Sequence, residues 1–337
     1  MSNGVHLGNI WNKLSRRLGR LEGGARQRQQ WLRDNAQEVQ ALVQRTHHAV
    51  ASGRCDARGL ANIIHGAVQC GLRRPQLQAL CEAVAEAVPP LLELEFSPQM
   101  ASNTVWALAA ARCPAPRLFD EVADAIVTRP DRLAAFQPQD IANTVWAYAK
   151  AEHEHGPLLD ELAAAAQRRL AEFSPQHLSN TAWAYASLRW PAPQLFDAIA
   201  VATVSPIRSG RTVRKGTRLR VDEFFPQGLA NLAWAYAASA HPAAELYDAL
   251  AEAALPKLEG FSSHSLSFLL AAYARAGHEA PATDALFAAA APLAAVRVRA
   301  PPTLKDPRLT LGSLLVVARR SLTFGRAGAP LRLTPTR

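Results

Sequence analysis

Cysteine is scarce in this chain of 337 residues: Cys55, Cys70, Cys81 and Cys113 each stand alone. That scatter excludes a disulfide scaffold and the close pairs of a structural zinc site, and it suits a reducing compartment. Long hydrophobic runs are missing too. The longest candidate, Leu311 to Val317 with its neighbours, stops at Arg319 and Arg320, short of the roughly 20 apolar residues that a spanning helix needs, so no membrane is expected among the partners. There is no Gly-rich phosphate loop, nucleophile elbow or His-Glu-x-x-His segment, and the carboxylates recur at repeat spacing on helix surfaces. His153 and His155 flank Glu154 in a turn, an arrangement that does not shield a metal from solvent. These absences leave no catalytic group, metal site or cofactor, so the expectation is a binding protein rather than an enzyme.

What the chain has is Ala and Leu, 49% hydrophobic residues overall and few β-branched runs, the composition of a folded, mostly helical soluble protein. Five segments opening on Phe96, Phe136, Phe173, Phe224 and Phe261 resemble one another, and a degenerate sixth begins near Cys55. Their spacings are 41, 40, 37, 51 and 37 residues, a period of about 37 to 41 with one insertion, which is that of tandem two-helix units. The fold class expected is all-α, a right-handed α-solenoid.

Each unit carries its own start signal. In Phe173-Ser174-Pro175-Gln176, Ser174 is placed as N-cap and Pro175 sits at the first helical position, where a missing N–H costs nothing. Phe173 precedes the cap and can staple to Leu178; Phe136 with Ile141, Phe224 with Leu229 and Phe261 with Leu266 repeat the pairing. Proline or glycine after the helix marks its end, and a second helix opens with Leu118-Phe119-Asp120, Leu158-Leu159-Asp160, Leu195-Phe196-Asp197 and Leu246-Tyr247-Asp248, slipping in the last unit to Leu286-Phe287.

On the first helix of the third copy, Leu178, Ala182, Tyr185 and Leu188 form an apolar stripe for the second helix, while Gln176, Asn180, Trp183 and Ser187 project to roughly the opposite side. Asn recurs at Asn62, Asn103, Asn143, Asn180 and Asn231, and Trp at Trp106, Trp146, Trp183 and Trp234; the last copy has Phe268 and Ala271 instead. Two readings stand. In one, each Trp fills the seam between neighbouring first helices and each Asn bonds to the adjacent unit, because a residue identical in every copy cannot tell one base from another. In the other, the Asn side chains hydrogen-bond a bound strand. Selectivity would then fall to the varying neighbours, Met100, Asp140, His177, Gly228 and Ser265 before the Asn row and Ala110, Lys150, Ser187, Ala238 and Arg275 after it, both bordering the same surface.

The run Phe-Ser-Pro-Gln-x-Leu-Ser-Asn-Thr-Ala-Trp-Ala-Tyr-Ala, Phe173 to Ala186, resembles the repeat of organellar RNA-binding proteins: the octotricopeptide and heptatricopeptide repeat families, the FAST-kinase-like proteins, and the RNA-editing substrate-binding complex subunit. The resemblance covers roughly Cys55 to Leu293. It implies work on mitochondrial, or alternatively plastid, RNA in processing, stability, translation or ribosome assembly; with no catalytic group found and only about five nucleotides gripped at one per repeat, the expectation is a non-catalytic factor holding single-stranded mRNA or rRNA alongside other proteins of a ribonucleoprotein complex. Many relatives end in a small RAP domain; none is recognisable in Val296 to Arg337, so nothing of that domain's activity is carried over.

The net charge of +9 is unevenly spread, and its distribution matters more than its sum. Residues 1–58 hold ten Lys/Arg and four acids, residues 204–220 six and none, and residues 297–337 nine and one, leaving twelve Lys/Arg against twenty-three acids in the rest. The repeats themselves are thus acidic, mainly on second helices, and the first helices nearly neutral. Three regions follow: a basic N-terminal segment, 1–54, whose opening Met1 to Gln30 has the acid-poor style of a transit peptide or alternatively forms a solvated helix that starts the array; the array, 55–296, with a basic insertion at 204–222; and a Pro/Arg-rich tail, 297–337. Arg208, Arg211, Arg214, Lys215, Arg218 and Arg220 of the insertion are expected in a protruding loop that touches phosphates. The candidate RNA-binding residues are these six with Asn103, Asn143, Asn180, Asn231, Lys150, His177 and Arg275. The alternative function is a protein-interaction scaffold whose concave face takes a peptide or helix.

Overall fold

The computed structural model describes residues 3–72, 74–94, 97–206 and 220–298. Phe96, five of the six insertion cations (all but Arg220) and the tail beyond residue 298 lie outside the described residues. The described chain is all-α, with a repeat-like series of helical pairs and no strand. It divides into two compact units, Met1–Leu195 and Phe196–Arg337.

In the first unit, α1 (Asn3–Gly19), α2 (Gly24–Asp34) and α3 (Ala36–Ala51) precede the pairs α4 (Ala57–Cys70) with α5 (Arg74–Ala87), α6 (Pro98–Ala111) with α7 (Pro116–Val127) and the short α8 (Pro130–Ala134), and α9 (Pro138–Ala151) with α10 (Gly156–Arg169). Then come α11 (Pro175–Leu188) and α12 (Pro193–Val204), the latter spanning the division. First helices pack on first helices: α1 on α4, α4 on α6, α6 on α9 and α9 on α11. In the second unit α13 (Pro226–Ser239) packs on α15 (Ser263–Ala276), and α14 (Ala244–Ala254) on α16 (Pro281–Val298).

The start signals act as the sequence predicts. The hydroxyls of Ser97, Ser174 and Ser262 accept from the backbone N–H of Met100, His177 and Ser265, at 3.2, 3.2 and 3.0 Å. Asp56 does the same for α4, accepting from Gly59 at 2.7 Å. Phe136, Phe173, Phe224 and Phe261 are buried, as are Ile141, Leu178, Leu229 and Leu266. α13 departs from this: its cap position holds Phe225, whose side chain has no oxygen to cap with and which stands 82% exposed.

The constant tyrosine of the first helix joins consecutive pairs. Tyr148 and Tyr185 are fully buried and donate to the carbonyls of Phe119 and Leu159 on the preceding second helix, at 2.7 and 2.6 Å. In the second unit Tyr236 and Tyr273 donate likewise to Phe196 and Tyr247, each at 2.5 Å. Burial pushes all four phenols above their ordinary range, so they remain donors. First helices end on a left-handed residue: Gly71 and Gly277 in the outer copies, but Arg112, Glu152, Arg189 and Ala240 between them, at φ of 52 to 54°.

α1 is part of this packing. Trp11 is fully buried and its indole N–H donates to Thr46 of α3 at 3.1 Å. Gly4, Gly8, Gly59 and Gly66 let α1 and α4 approach closely; a Cβ on Gly66 would lie 2.7 Å from the Trp11 Cβ and 2.8 Å from its carbonyl carbon. Residues 4–19 therefore pack directly on α4.

Candidate functional site

The side of the first helices turned away from the second helices carries the constant polar and aromatic residues. In the first unit the ring of Trp106 lies 6.1 Å from that of Trp146, inclined by 30°, and Trp146 lies 6.5 Å from Trp183 at 35°. His65 extends the series on α4, 5.1 Å from Trp106. In the second unit Trp234 stacks on Phe268 at 5.3 Å and 16°, and His264 on the same ring at 5.7 Å. Each indole is half-buried. The aromatic residues fill the seam between neighbouring first helices, as the structural reading of the pattern held.

The asparagines behave differently. Asn103, Asn143, Asn180 and Asn231 are half-buried, yet their side-chain amides make no hydrogen bond to any described residue, so the expected bond to the adjacent unit does not form. The reason is positional. Each Asn sits one turn before its Trp, and the bulky rings occupy the seam that a short amide would have to cross. The amides are left without a hydrogen-bond partner among the described residues.

A second amide row, overlooked as a site in the sequence, lies one turn further upstream. Gln99, Gln139, Gln176 and Gln227 follow the Pro at the start of α6, α9, α11 and α13; all are exposed, and their side chains too are without a described partner. Positions i, i+4 and i+7 of one helix share a face, so each of these four helices presents Gln, Asn and Trp in line. The periodicity of Pro-Gln was the available signal.

The varying positions divide. Met100 and Asp140 are buried, at 2% and 8% exposure, and so do not border the open surface as expected. Asp140 accepts from the backbone N–H of Gln137 at 3.0 Å and from the Ser102 hydroxyl of the neighbouring α6 at 2.8 Å. As the third residue of its helix, it is close enough to the cap to be drawn into it. His177 is half-buried at the equivalent position, its Nδ1 accepting from the Ser174 N–H at 3.3 Å. Burial lowers its pKa, with the charge of Asp140 opposing, which keeps the ring neutral. Lys150 is exposed. Arg275, also exposed, donates from Nε to the Ala237 carbonyl at 3.0 Å.

Of the insertion's six cations, Arg220 alone is described. It is half-buried, burial lowers its pKa against the pull of Glu223, and its backbone N–H donates to the Ser205 carbonyl at 3.1 Å. Arg208, Arg211, Arg214, Lys215 and Arg218 lie outside the described residues.

The recurring acids of the second helices have structural partners. Asp120 and Asp124 meet the ring nitrogens of His153 and His155 at 2.7 and 3.2 Å, and Asp160 accepts from the Trp190 indole at 2.9 Å. In the second unit Asp197 and Asp248 meet His241 and His278, each at 2.8 Å. The turns after α9, α11, α13 and α15 are thereby tied to the second helices before them, which accounts for the paired histidines around Glu154. Among the described residues no group of three or more His, Cys, Asp or Glu is arranged to hold a metal, and no helix is long and apolar enough to cross a membrane. No protein-family model matches the chain, and no curated protein matches it.

Proposed function

We propose that the protein is a non-catalytic RNA-binding factor whose helical pairs form a right-handed α-solenoid, and that its first-helix face holds single-stranded RNA. The observation that carries this reading is the set of unpartnered amides of Asn103, Asn143 and Asn180, aligned ahead of half-buried indoles on adjoining helices. An amide offers one acceptor and two donors in a plane, which matches the edge of an unpaired base, and aromatic surface beside it suits base faces. The insertion cations supply phosphate attraction that the neutral first helices lack. The resemblance of Phe173 to Ala186 to organellar RNA-binding repeats supports a mitochondrial, or alternatively plastid, setting within a ribonucleoprotein complex.

One observation favours a second reading. α6 and α11 contain no charged residue, so their faces would equally suit an extended peptide, whose backbone also pairs with amides. Fluorescence anisotropy with a mixed-sequence single-stranded RNA of about 15 nucleotides, longer than the about five that one base per repeat would engage, separates the two. The RNA reading expects binding that weakens with salt and weakens again in the Asn103→Ala, Asn143→Ala, Asn180→Ala triple variant. Absence of binding at low salt overturns it.

A further inference from the structure

The constancy of the amides bears on which RNA they hold. A helical-repeat reader takes one base per repeat with two or three side chains, and α6, α9 and α11 present the same two: Gln99 with Asn103, Gln139 with Asn143, and Gln176 with Asn180. Identical readers cannot tell the bases of a mixed sequence apart along a strand, because no register differs from the next. They repeat a single demand at each one, and the ligand that satisfies it everywhere carries the same base at successive positions. The best-matched pairing for an Asn or Gln amide is adenine, whose N6 amino group donates and whose N7 accepts, so that one planar amide meets both.

Two features of the face agree with a purine. None of the six amides is engaged by a described residue, so none must first break a protein bond. The indoles of Trp106, Trp146 and Trp183 offer half-buried aromatic edges next to the Asn row, and α6 and α11 place no charge there that would favour phosphate over base. The side chains that differ between these helices at the first varying position, Met100, Asp140 and His177, are buried or engaged by their own caps, and so do not break the uniformity of the amide rows.

We infer that the Gln–Asn rows of α6, α9 and α11 select a homopolymeric adenine tract in single-stranded RNA. This rests on the RNA-binding reading above and adds base preference to it. The test is anisotropy competition on the full chain with oligoadenylate, oligouridylate, oligocytidylate and a mixed sequence of equal length. Oligoadenylate is expected to compete at least ten-fold better than the mixed sequence. The Gln99→Ala, Gln139→Ala, Gln176→Ala variant, whose changes are all on exposed side chains, is expected to keep its helix content and to lose that preference, its oligoadenylate affinity falling about ten-fold further than its mixed-sequence affinity. Equal competition by all four, or a preference for another base, overturns the adenine assignment and leaves RNA binding standing. Failure of every RNA to bind overturns both. Loss of mixed-sequence and adenine affinity in equal measure on removing the glutamines shows that they hold without selecting, and likewise overturns the inference.

Discussion

The phenol of Tyr148 donates to the carbonyl of Phe119 across 2.7 Å, from the first helix of one pair to the second helix of the pair before it. Because both groups are buried, removing the hydroxyl costs a bond that water cannot replace. Tyr148→Phe is expected to lower unfolding stability by about 1 kcal/mol, with Tyr185→Phe doing the same. Urea unfolding followed by far-UV circular dichroism measures it, and a loss confined to the noise would show that packing of the ring alone joins the pairs.

Two positions in the second unit work against local preference. Ala240 ends α13 at a φ of 52°, where an L side chain is strained, and Phe225 starts it without a capping oxygen. Ala240→Gly relieves the strain and Phe225→Ser restores the cap found at Ser174 and Ser262. Each is expected to stabilise by about 1 kcal/mol, and together nearly additively, since they lie at opposite ends of the helix. Thermal melts of the single and double variants decide it.

Gly66 faces the backbone of Trp11 so closely that a Cβ would meet its carbonyl carbon at 2.8 Å. Backbone cannot swing aside as a side chain can, so Gly66→Ala is expected to displace α1 at a cost of about 1–3 kcal/mol. The readouts are a red shift of tryptophan emission as Trp11 gains water and faster proteolysis within residues 4–19. Unchanged emission and cleavage would mean that α1 is not held by this contact.

His65, half-buried beside Trp106, has its pKa lowered from the ordinary 6.5 by burial. The folded chain therefore holds the ring neutral where the unfolded chain begins to protonate. Stability is full above about pH 6.5 and is lost as the pH falls toward the depressed folded value. His65→Phe, which keeps a ring against Trp106, is expected to flatten this acid-side slope in denaturant midpoints taken between pH 8 and pH 5. An unaltered slope would assign the acid sensitivity elsewhere.

Much of the fold was legible because its signals are local. A Ser-Pro after a Phe specifies a helix start whatever surrounds it, and the Tyr, Asn and Trp positions fall out of helical spacing. The close fit of α1 on α4 was not legible, since it depends on Gly59 and Gly66 meeting Gly4 and Trp11 from far along the chain, and sequence shows charge on α1 before it shows fit. Of the site, the Trp seam could be foreseen. The unpaired state of Asn143 could not, because spacing places an amide on a face without saying what stands within its reach. Asp140 and His177 were placed on the open surface from spacing alone, whereas the cap three residues earlier had a prior claim on both.

The hydrogen bond from Arg220 to Ser205 fastens the insertion at its neck. A stretch pinned at both ends can be shortened or lengthened for little free energy, about 0.6 kcal/mol for each doubling, and the helices on either side need not register the change. Changes in the number or charge of the residues between Ser205 and Arg220 would therefore leave α12 and α13 as they are.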